Sequence, residues 1–232
     1  MSIVNIIFPK KCISCGDITE SGEKDVFCPI CRARYEMIKR QRCTVCGLAE
    51  CKCRCVASKL SKSGLPVTER HVFAFESDIS RTLIYKLKRK NLRSLRSFFA
   101  NECYNIVREE TETAKGEDFA IVYPPRSKSG IKEYGFDQAH IIASAVAKRS
   151  DIPLSAIFRR VRKGKLQKTL SSEQREENAE RVFDISKKAD VYGKTLIIID
   201  DVVTSGSTAA RLATLAMSRG AKRIIVISVA KT

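Results

Sequence analysis

The sequence predicts an α/β protein, with a mainly parallel sheet flanked by helices and a small cysteine-rich unit before it. From residue 67 onward, short apolar segments alternate with amphipathic helical ones, which is typical of a parallel sheet covered on both faces. Residues 196–199 are all apolar, as expected for a strand buried on both sides. Nine of the ten cysteines lie between Cys12 and Cys55, so the N-terminal segment is of a different kind.

The elements of the α/β part can be predicted in order from the spacing of apolar residues. Ser77 is a candidate N-cap for the first long helix. In such a sheet, ligands bind at the carboxyl ends of the strands, where Pro124 and Asp200 both fall. We expect strands at residues 72–75, 119–123, 196–199 and 223–229, another from residue 155, and further helices at 91–109 and 139–148.

The composition indicates a folded and strongly basic protein. A chain of 232 residues with 44% hydrophobic residues can form one medium domain and a small one. Its net charge of +17 is concentrated, with eight Lys or Arg against one Glu in residues 81–108 and six more without an acid in residues 159–168. Solvated helix faces would explain such runs, but the surplus also favours polyanions, above all nucleic acid. The candidate contact residues are Lys86, Lys88, Arg89, Lys90, Arg93, Lys163 and Lys165.

The sequence lacks the apolar length of a membrane-spanning segment. No apolar stretch approaches the roughly 20 residues that cross a bilayer. The apolar residues 3–8 are too few, and too soon interrupted by Pro9, to indicate a signal peptide. We therefore expect the protein to be cytoplasmic.

The first cysteine set consists of two Cys-x-x-Cys pairs separated by twelve residues. In a reducing compartment such pairs indicate metal, with a disulfide-linked or free-thiol segment as the alternative. Two knuckles at this spacing fold back on each other and close a tetrahedral zinc site. The predicted ligands are Cys12, Cys15, Cys28 and Cys31.

The second cysteine set begins with Cys43 and Cys46. A tetrahedral zinc site then needs two of the three cysteines that follow, which are Cys51, Cys53 and Cys55. We favour Cys55 with either Cys51 or Cys53, and the sequence leaves that choice open. One thiol of the three would be spare.

The cysteine-rich unit has too few large apolar side chains for a core of its own. Closing its loops around metal would replace that core. We therefore predict one or two zinc ribbons in residues 1–57, a linker at residues 58–66, and the larger domain in residues 67–232.

The most informative segment follows the predicted strand at residues 196–199. Two adjacent carboxylates, Asp200 and Asp201, lead into a short loop with four hydroxyls around one glycine, and a helix is expected from Ala209. Free backbone N–H groups and the helix dipole converge at such a corner, so a phosphate fits there better than in a plain strand-to-helix turn. The carboxylates suit ribose hydroxyls or a hydrated Mg²⁺. The predicted phosphate-binding residues are Thr204, Ser205, Gly206, Ser207 and Thr208.

This segment resembles the signature of type I phosphoribosyltransferases, which bind phosphoribosyl pyrophosphate (PRPP). The usual loop of that family carries Thr-Thr-Gly-x-Thr, and the second Thr is Ser205 here, which keeps the hydroxyl. The resemblance implies that Asp200 and Asp201 hold the ribose 2- and 3-hydroxyls. It also implies that the loop wraps the 5-phosphate and that Mg²⁺ accompanies PRPP.

The whole chain resembles the ComF family, the competence-protein F or GntX-like proteins. Residues 8–16 are similar to the opening of that family, and residues 134–139 to its Arg-Gly-Phe-Asn-Gln-Ala segment. Tyr134 and Asp137 depart from that segment, so a contact through the family arginine is either missing or supplied by Lys132. A second similar block comprises Gln167, Leu170, Ser171, Arg175, Asn178 and Phe183.

Two further segments are candidates for holding the rest of PRPP. The first follows a predicted strand and would bind pyrophosphate through backbone N–H groups and two cations, unless it is only a proline-stiffened turn. The second, residues 163–172, is either a flexible loop that shields PRPP or a basic arm for nucleic acid. The predicted pyrophosphate loop is Pro125, Arg126, Ser127 and Lys128.

The ComF resemblance implies a PRPP-binding protein that acts on single-stranded DNA during natural transformation. A second hypothesis is an active Mg²⁺-dependent phosphoribosyltransferase with an unidentified acceptor. Some purine-salvage relatives carry an acid three residues after the second Asp, and Thr204 stands there instead. A third hypothesis makes the zinc ribbons an adaptor for a protein partner such as a helicase.

Overall fold

The computed structural model describes residues 9–19, 25–90, 92–161 and 182–232. Its helices are α1 (Pro29–Arg40), α2 (Ser58–Lys62), α3 (Asp78–Arg89), α4 (Arg93–Thr113), α5 (Lys128–Tyr134), α6 (Gln138–Ser150) and α7 (Ser207–Met217), with a 3₁₀ turn at Glu50–Lys52. Its strands are β1 (Val67–Ala74), β2 (Phe119–Val122), β3 (Phe158–Arg160), β4 (Phe183–Ile185), β5 (Thr195–Val203) and β6 (Arg223–Lys231).

Four of these strands form a parallel sheet in the order β1-β6-β5-β2. The register aligns Asp200 with Ser228 and Val203 with Lys231. Strands β3 and β4 form a separate antiparallel pair, and the predicted strand from residue 155 starts at Phe158 instead. The α/β class with a mainly parallel sheet is therefore confirmed.

The central strand β5 is covered on both faces, as its unbroken apolar sequence predicts. Ile197 and Ile199 pack on one side in a cluster with side chains of α4 and α6. Leu196 and Ile198 face the other side and pack with side chains of α7. Because its apolar residues point both ways, the strand is fixed firmly enough to place the polar residues that follow it.

The helix starts follow local capping chemistry. Ser77 accepts from the main-chain N–H of Ser80 while the Ser80 hydroxyl accepts from the main-chain N–H of Ser77, a reciprocal capping box. Asp137 caps α6 by accepting from the main-chain N–H of His140 at 3.1 Å. The predicted start of α3 at Ser77 is therefore confirmed.

The cysteine-rich segment shares the core of the α/β body. Phe27 and Tyr35 are fully buried, with ring centroids 5.1 Å apart, and Tyr35 packs edge-on against Phe98 of α4. These rings belong to the same apolar cluster as Phe73 of β1. The sequence correctly shows too few apolar residues for a separate core, but the few present complete the larger one.

The segment at residues 58–66, expected to be a linker, is packed against the α/β body. Residues Ser58–Lys62 form α2, and Leu60 on that helix is only 1% exposed. The physical reason is that a single apolar side chain among polar ones suffices to seat one helical turn. No helix in the described ranges is both long and apolar enough to cross a membrane.

Candidate functional site

The corner between β5 and α7 presents unpaired backbone donors. Gly206 takes a left-handed conformation, with φ of 81°, and its carbonyl accepts the first bond of α7 from Ala210 at 2.8 Å. Within the described residues, no side chain caps this helix. The N–H groups of its first turn therefore point outward from the positive end of the helix dipole.

All seven residues predicted to bind the ribose and its phosphate line one cavity of about 510 Å³. This size is typical of a small-molecule site. The Ser205 and Ser207 hydroxyls lie 2.9 Å apart and face the same space. The structure thus brings together Asp200, Asp201, Thr204, Ser205, Gly206, Ser207 and Thr208.

The two carboxylates at the end of β5 form the acidic part of the cavity. Asp200 Oδ1 accepts from the N–H of Asp201 at 2.7 Å, and Lys88 Nζ of α3 lies 3.6 Å from Asp201 Oδ2. Burial, and then the adjacent charge of Asp201, raise the pKa of Asp200 well above its usual value. Such a pair is suited to a ligand that supplies hydroxyl donors or positive charge.

Part of the predicted pyrophosphate loop borders the same cavity. Pro125 and Arg126 line it, and the main-chain N–H of Arg126 donates to Asp137 Oδ2 at 3.0 Å. Ser127 instead caps α5 by accepting from the N–H of Gly130, and Lys128 is exposed as the first residue of that helix. The loop therefore offers one cation to the cavity rather than two.

Tyr134 holds the side chain of Arg126. The Arg126 guanidinium lies 4.4 Å from the centroid of the Tyr134 ring. The Arg126 side chain also lies close to Gly130, where an added Cβ would be 3.0 Å from Arg126 Nε. The tyrosine that departs from the family segment thus stacks on a cavity arginine.

The cavity lining also includes Arg160 of β3 and Phe183 of β4, for which the sequence predicted no role in binding. The Arg160 guanidinium lies 4.9 Å from the Phe183 ring centroid, and its Nε is buried without a hydrogen-bond partner among the described residues. Burial, and then the charge of Arg126, lower the pKa of Arg160. Arg160 belongs to a basic run in the sequence, but nothing there separates it from its neighbours.

The first cysteine cluster has the spacing of a tetrahedral site. The sulfurs of Cys12, Cys15, Cys28 and Cys31 lie within 4.8 Å of one another. Cys15 Sγ and Cys28 Sγ are 3.9 Å apart, and Zn–S bonds of about 2.3 Å place sulfurs about 3.8 Å apart. Burial opposes ionisation of Cys12, but main-chain N–H groups, those of Cys28 and Cys15 foremost, lower its pKa to about 6. Four clustered thiols, of which Cys12 has a lowered pKa, are a suitable ligand set for zinc.

The second cluster comprises Cys43, Cys46, Cys53 and Cys55. The Cys46–Cys53 and Cys43–Cys55 sulfur distances are 3.7 and 4.0 Å. The N–H of Cys46 is the main group that lowers the pKa of Cys43 to about 7.

Cys51 lies outside the second cluster, which corrects its inclusion among the candidate ligands. It sits within the 3₁₀ turn Glu50–Lys52, and its carbonyl accepts from Arg70 Nη2 at 3.0 Å. Of the two pairings left open by the sequence, the structure groups Cys53 with Cys55.

The basic residues predicted to contact nucleic acid differ in their exposure and in their partners within the protein. Lys86 donates to the Ser14 carbonyl beside the first cluster, and Lys88 faces Asp201. Arg89 is exposed and lies between two tyrosine rings, with its guanidinium 5.5 Å from Tyr85 and 5.6 Å from Tyr134. Lys90 and Arg93 are exposed, whereas Lys163, Lys165 and residues 163–172 as a whole fall outside the described residues.

Comparison with known protein families matches both parts of the chain. Residues 3–65 match the double zinc ribbon domain, and residues 130–232 match the phosphoribosyl transferase domain. The chain is thus a protein of the phosphoribosyltransferase fold that carries a double zinc ribbon.

The relatives are competence proteins. Competence protein ComFC of Bacillus subtilis is 25% identical over 189 residues, covering 78% of this chain and 73% of that protein. ComFC of Streptococcus pneumoniae is 23% identical over 95% of this chain and 100% of its own length. Competence protein F of Haemophilus influenzae is 29% identical, over 42% of this chain and 43% of that protein. This chain, with a double zinc ribbon before a phosphoribosyl transferase domain, therefore resembles the competence proteins ComFC along most of its length.

Solved structures of phosphoribosyltransferases also align with it. A hypoxanthine phosphoribosyltransferase of Staphylococcus aureus aligns with a TM-score of 0.39 at 18% identity. The alignment covers 59% of this chain and 65% of that enzyme, which is less than two thirds of the enzyme's length.

Proposed function

We propose that this protein binds PRPP at the corner after β5 and acts on single-stranded DNA during natural transformation. The observation that carries the PRPP part is the juxtaposition, in one cavity, of an uncapped helix N-terminus with paired carboxylates. A phosphate and a ribose diol are the groups that this pair of features suits.

Each part of PRPP has a partner in the cavity. The loop at residues 204–208 would hold the 5-phosphate, and Asp200 and Asp201 the ribose hydroxyls. Arg126 and Arg160 both line the cavity, and the charge of Arg126 contributes to the lowered pKa of Arg160, so two cations would be available to a pyrophosphate. Mg²⁺ would add positive charge to that diphosphate when bound.

We also propose that each cysteine cluster binds one zinc ion. The support is the sulfur spacing of 3.7 to 4.0 Å in both clusters and their match to a double zinc ribbon. In the cytoplasm, all ten cysteines of the chain, including the eight of the two clusters, would be kept reduced.

The DNA part is supported by charge and by a stacking surface. The chain carries a net charge of +17, and exposed Arg89 lies between Tyr85 and Tyr134 near the cavity. Alternating arginine and aromatic side chains suit the phosphates and bases of a single strand. The relatives are named competence proteins, which agrees with a role in DNA uptake.

A second candidate is an active phosphoribosyltransferase. The presence of both Arg126 and Arg160 in the cavity lining favours it, because cations stabilise a departing pyrophosphate. Pyrophosphate release from PRPP in the presence of a nucleobase or amine acceptor would establish this activity, and binding without turnover across a broad acceptor panel would rule against it.

Calorimetric titration with PRPP and Mg²⁺ tests the binding proposal. The double variant Asp200→Asn, Asp201→Asn should fold normally yet bind PRPP about 100-fold more weakly, since each charge-assisted hydrogen bond is worth about 1.5 kcal/mol.

The control variant is Asp118→Asn, Asp190→Asn, which removes the same charge from two exposed acids that pair with Lys194. It should bind PRPP as the unmodified protein does. Equal affinity in all three proteins would mean that these carboxylates are misassigned.

A further inference from the structure

A very short stretch of chain connects the second cysteine cluster to the phosphate loop. Cys55 is the last cysteine of that cluster, and Lys59 in α2 already contacts the loop. Four residues span at most about 14 Å. The cluster and the loop are therefore close in space, although Cys55 and Ser205 are 150 residues apart in the sequence.

Helix α2 forms a wall of the phosphate loop. The main-chain N–H of Lys59 donates to the Ser205 carbonyl at 3.0 Å. A Cβ added to Gly206 would lie 2.9 Å from Ala57 Cβ and 3.2 Å from Leu60 Cβ. The loop backbone and α2 are thus in direct contact at the one position that must be glycine.

A buried ion pair fixes this wall to the sheet. Glu69 of β1 is fully buried and accepts from the N–H of Ala57 at 2.7 Å. Lys231 of β6 lies 3.0 Å from Glu69 and also donates to the carbonyl of Cys55. Lys231 is in register with Val203, the last residue before the loop. The Glu69–Lys231 ion pair therefore holds residues 55 and 57 beside the end of β5 that leads into the loop.

We propose that the second cysteine cluster positions the 5-phosphate loop through residues 55–60. Metal bound there and ribose 5-phosphate bound at the loop then favour each other. This inference rests on the proposed binding of PRPP. Coupling between two sites is reciprocal, so each ligand must strengthen the binding of the other by the same factor.

The two clusters should differ in this respect. The first cluster contacts α3, through the hydrogen bond between Lys86 and the Ser14 carbonyl. The second cluster is connected to the loop by α2, which contacts the loop directly. A ligand at the loop should therefore protect the second cluster more than the first.

Cysteine alkylation in the presence of a chelator measures this difference directly, because metal-bound thiolates react slowly. We would follow each cysteine peptide of the full-length, zinc-loaded protein by mass spectrometry, with ribose 5-phosphate or with ribose. Coupling energies of the usual size correspond to at least about fivefold. We expect ribose 5-phosphate to slow alkylation of Cys43, Cys46, Cys53 and Cys55 by at least about that factor, with a smaller effect on the four cysteines of the first cluster and none from ribose.

Ala57→Gly tests the wall without removing a metal ligand. Glycine is accepted at a helix N-cap, which is the position of Ala57, so α2 should persist while the packing of the Ala57 methyl group against Gly206 is lost. The protection by ribose 5-phosphate should then fall. Ala49→Gly, at the N-cap of the 3₁₀ turn in the same ribbon, is the matched control and should retain it.

The three possible negative results have different meanings. If the protein binds ribose 5-phosphate in a titration but both clusters alkylate at unchanged rates, the coupling is overturned and PRPP binding stands. If ribose 5-phosphate and PRPP do not bind at all, both proposals fall. Equal protection of both clusters would also overturn the specific route through α2.

Discussion

Asp200 and Asp201 place two carboxylates side by side where a sheet strand ends. Burial and the neighbouring charge raise the pKa of Asp200, so the ionised form is disfavoured in the folded protein. An acid whose pKa is higher in the folded state than in the unfolded one lowers stability as pH rises through the interval between the two values. Asp200 therefore reduces stability at neutral pH, which is common where a site is built to bind a ligand.

Replacing Asp200 by Asn should stabilise the free protein. We expect the free energy of unfolding at neutral pH to rise by roughly 1 kcal/mol, because one desolvated charge is removed. The gain should shrink as the pH falls, since the aspartic acid of the unmodified protein then becomes protonated. Denaturant unfolding at several pH values measures both effects.

The control for this experiment is Asp190→Asn, at an exposed acid that pairs with Lys194. It should change stability little at any pH. A loss of stability for Asp200→Asn at neutral pH, or a gain that grows on acidification, would contradict the expected electrostatics.

At the scale of elements, α3 and α5 together present the stacking surface. Arg89 is the last residue of α3, and it lies between Tyr85 one turn earlier and Tyr134 at the end of α5. Tyr134 in turn stacks on Arg126 at the cavity edge. A single strand of DNA lying on this surface would pass beside the cavity that Arg126 lines.

Replacing the tyrosine or the arginine of this surface should change the salt dependence of DNA binding differently. Tyr85→Ala should weaken binding to a short single-stranded oligonucleotide at least about fivefold, because base stacking is worth about 1–3 kcal/mol. It should leave the salt dependence unchanged. Arg89→Ala should also reduce the slope of log affinity against log salt concentration by about 0.7, the contribution of one phosphate contact.

Fluorescence anisotropy over a range of salt concentrations makes this measurement. Arg108→Ala is a suitable control, because Arg108 lies late in α4 and pairs weakly with Glu112 at 3.8 Å. If the tyrosine and both arginine variants bind DNA equally well, the stacking surface is not the binding site.

Element by element, the predictable parts of the site are those encoded locally. The corner after β5 could be predicted since strand, acids, hydroxyls, glycine and helix follow one another within residues 196–217. Two features could not be predicted, because Arg160 reaches the cavity and α2 reaches the loop only through tertiary packing. Leu60 carries no signal in its own segment that it will contact Gly206. The choice of Cys53 over Cys51 likewise depends on a 3₁₀ turn that spacing does not reveal.

At the scale of the whole molecule, the double zinc ribbon and the α/β body are joined by a continuous interior. Aromatic rings from both parts pack together, and the Arg70–Glu110 ion pair beside them is only 2% exposed on each side chain. Arg54 of the ribbon also pairs with Glu110 at 2.7 Å. Removing residues 1–57 would therefore uncover apolar and charged groups that are now buried.

This shared interior predicts that the two parts unfold together. Phe27→Ala, in the ribbon segment, should lower the free energy of unfolding of the whole chain by about 3–5 kcal/mol, the usual cost of truncating a buried aromatic residue. Scanning calorimetry should show one transition at a lower temperature. Ile30→Ala, at a residue that is 67% exposed, should change it little. Two separate transitions, with only the smaller one shifted, would contradict this view.

The Arg70–Glu110 pair also limits how such a chain can change over time. A ribbon borrowed from another protein would bring neither the rings that fill the interior nor the carbonyl of Cys51 that Arg70 needs. Neither part could therefore be replaced readily by the corresponding part of another protein. Substitutions on one side of the boundary should be tolerated mainly when a compensating change occurs on the other side.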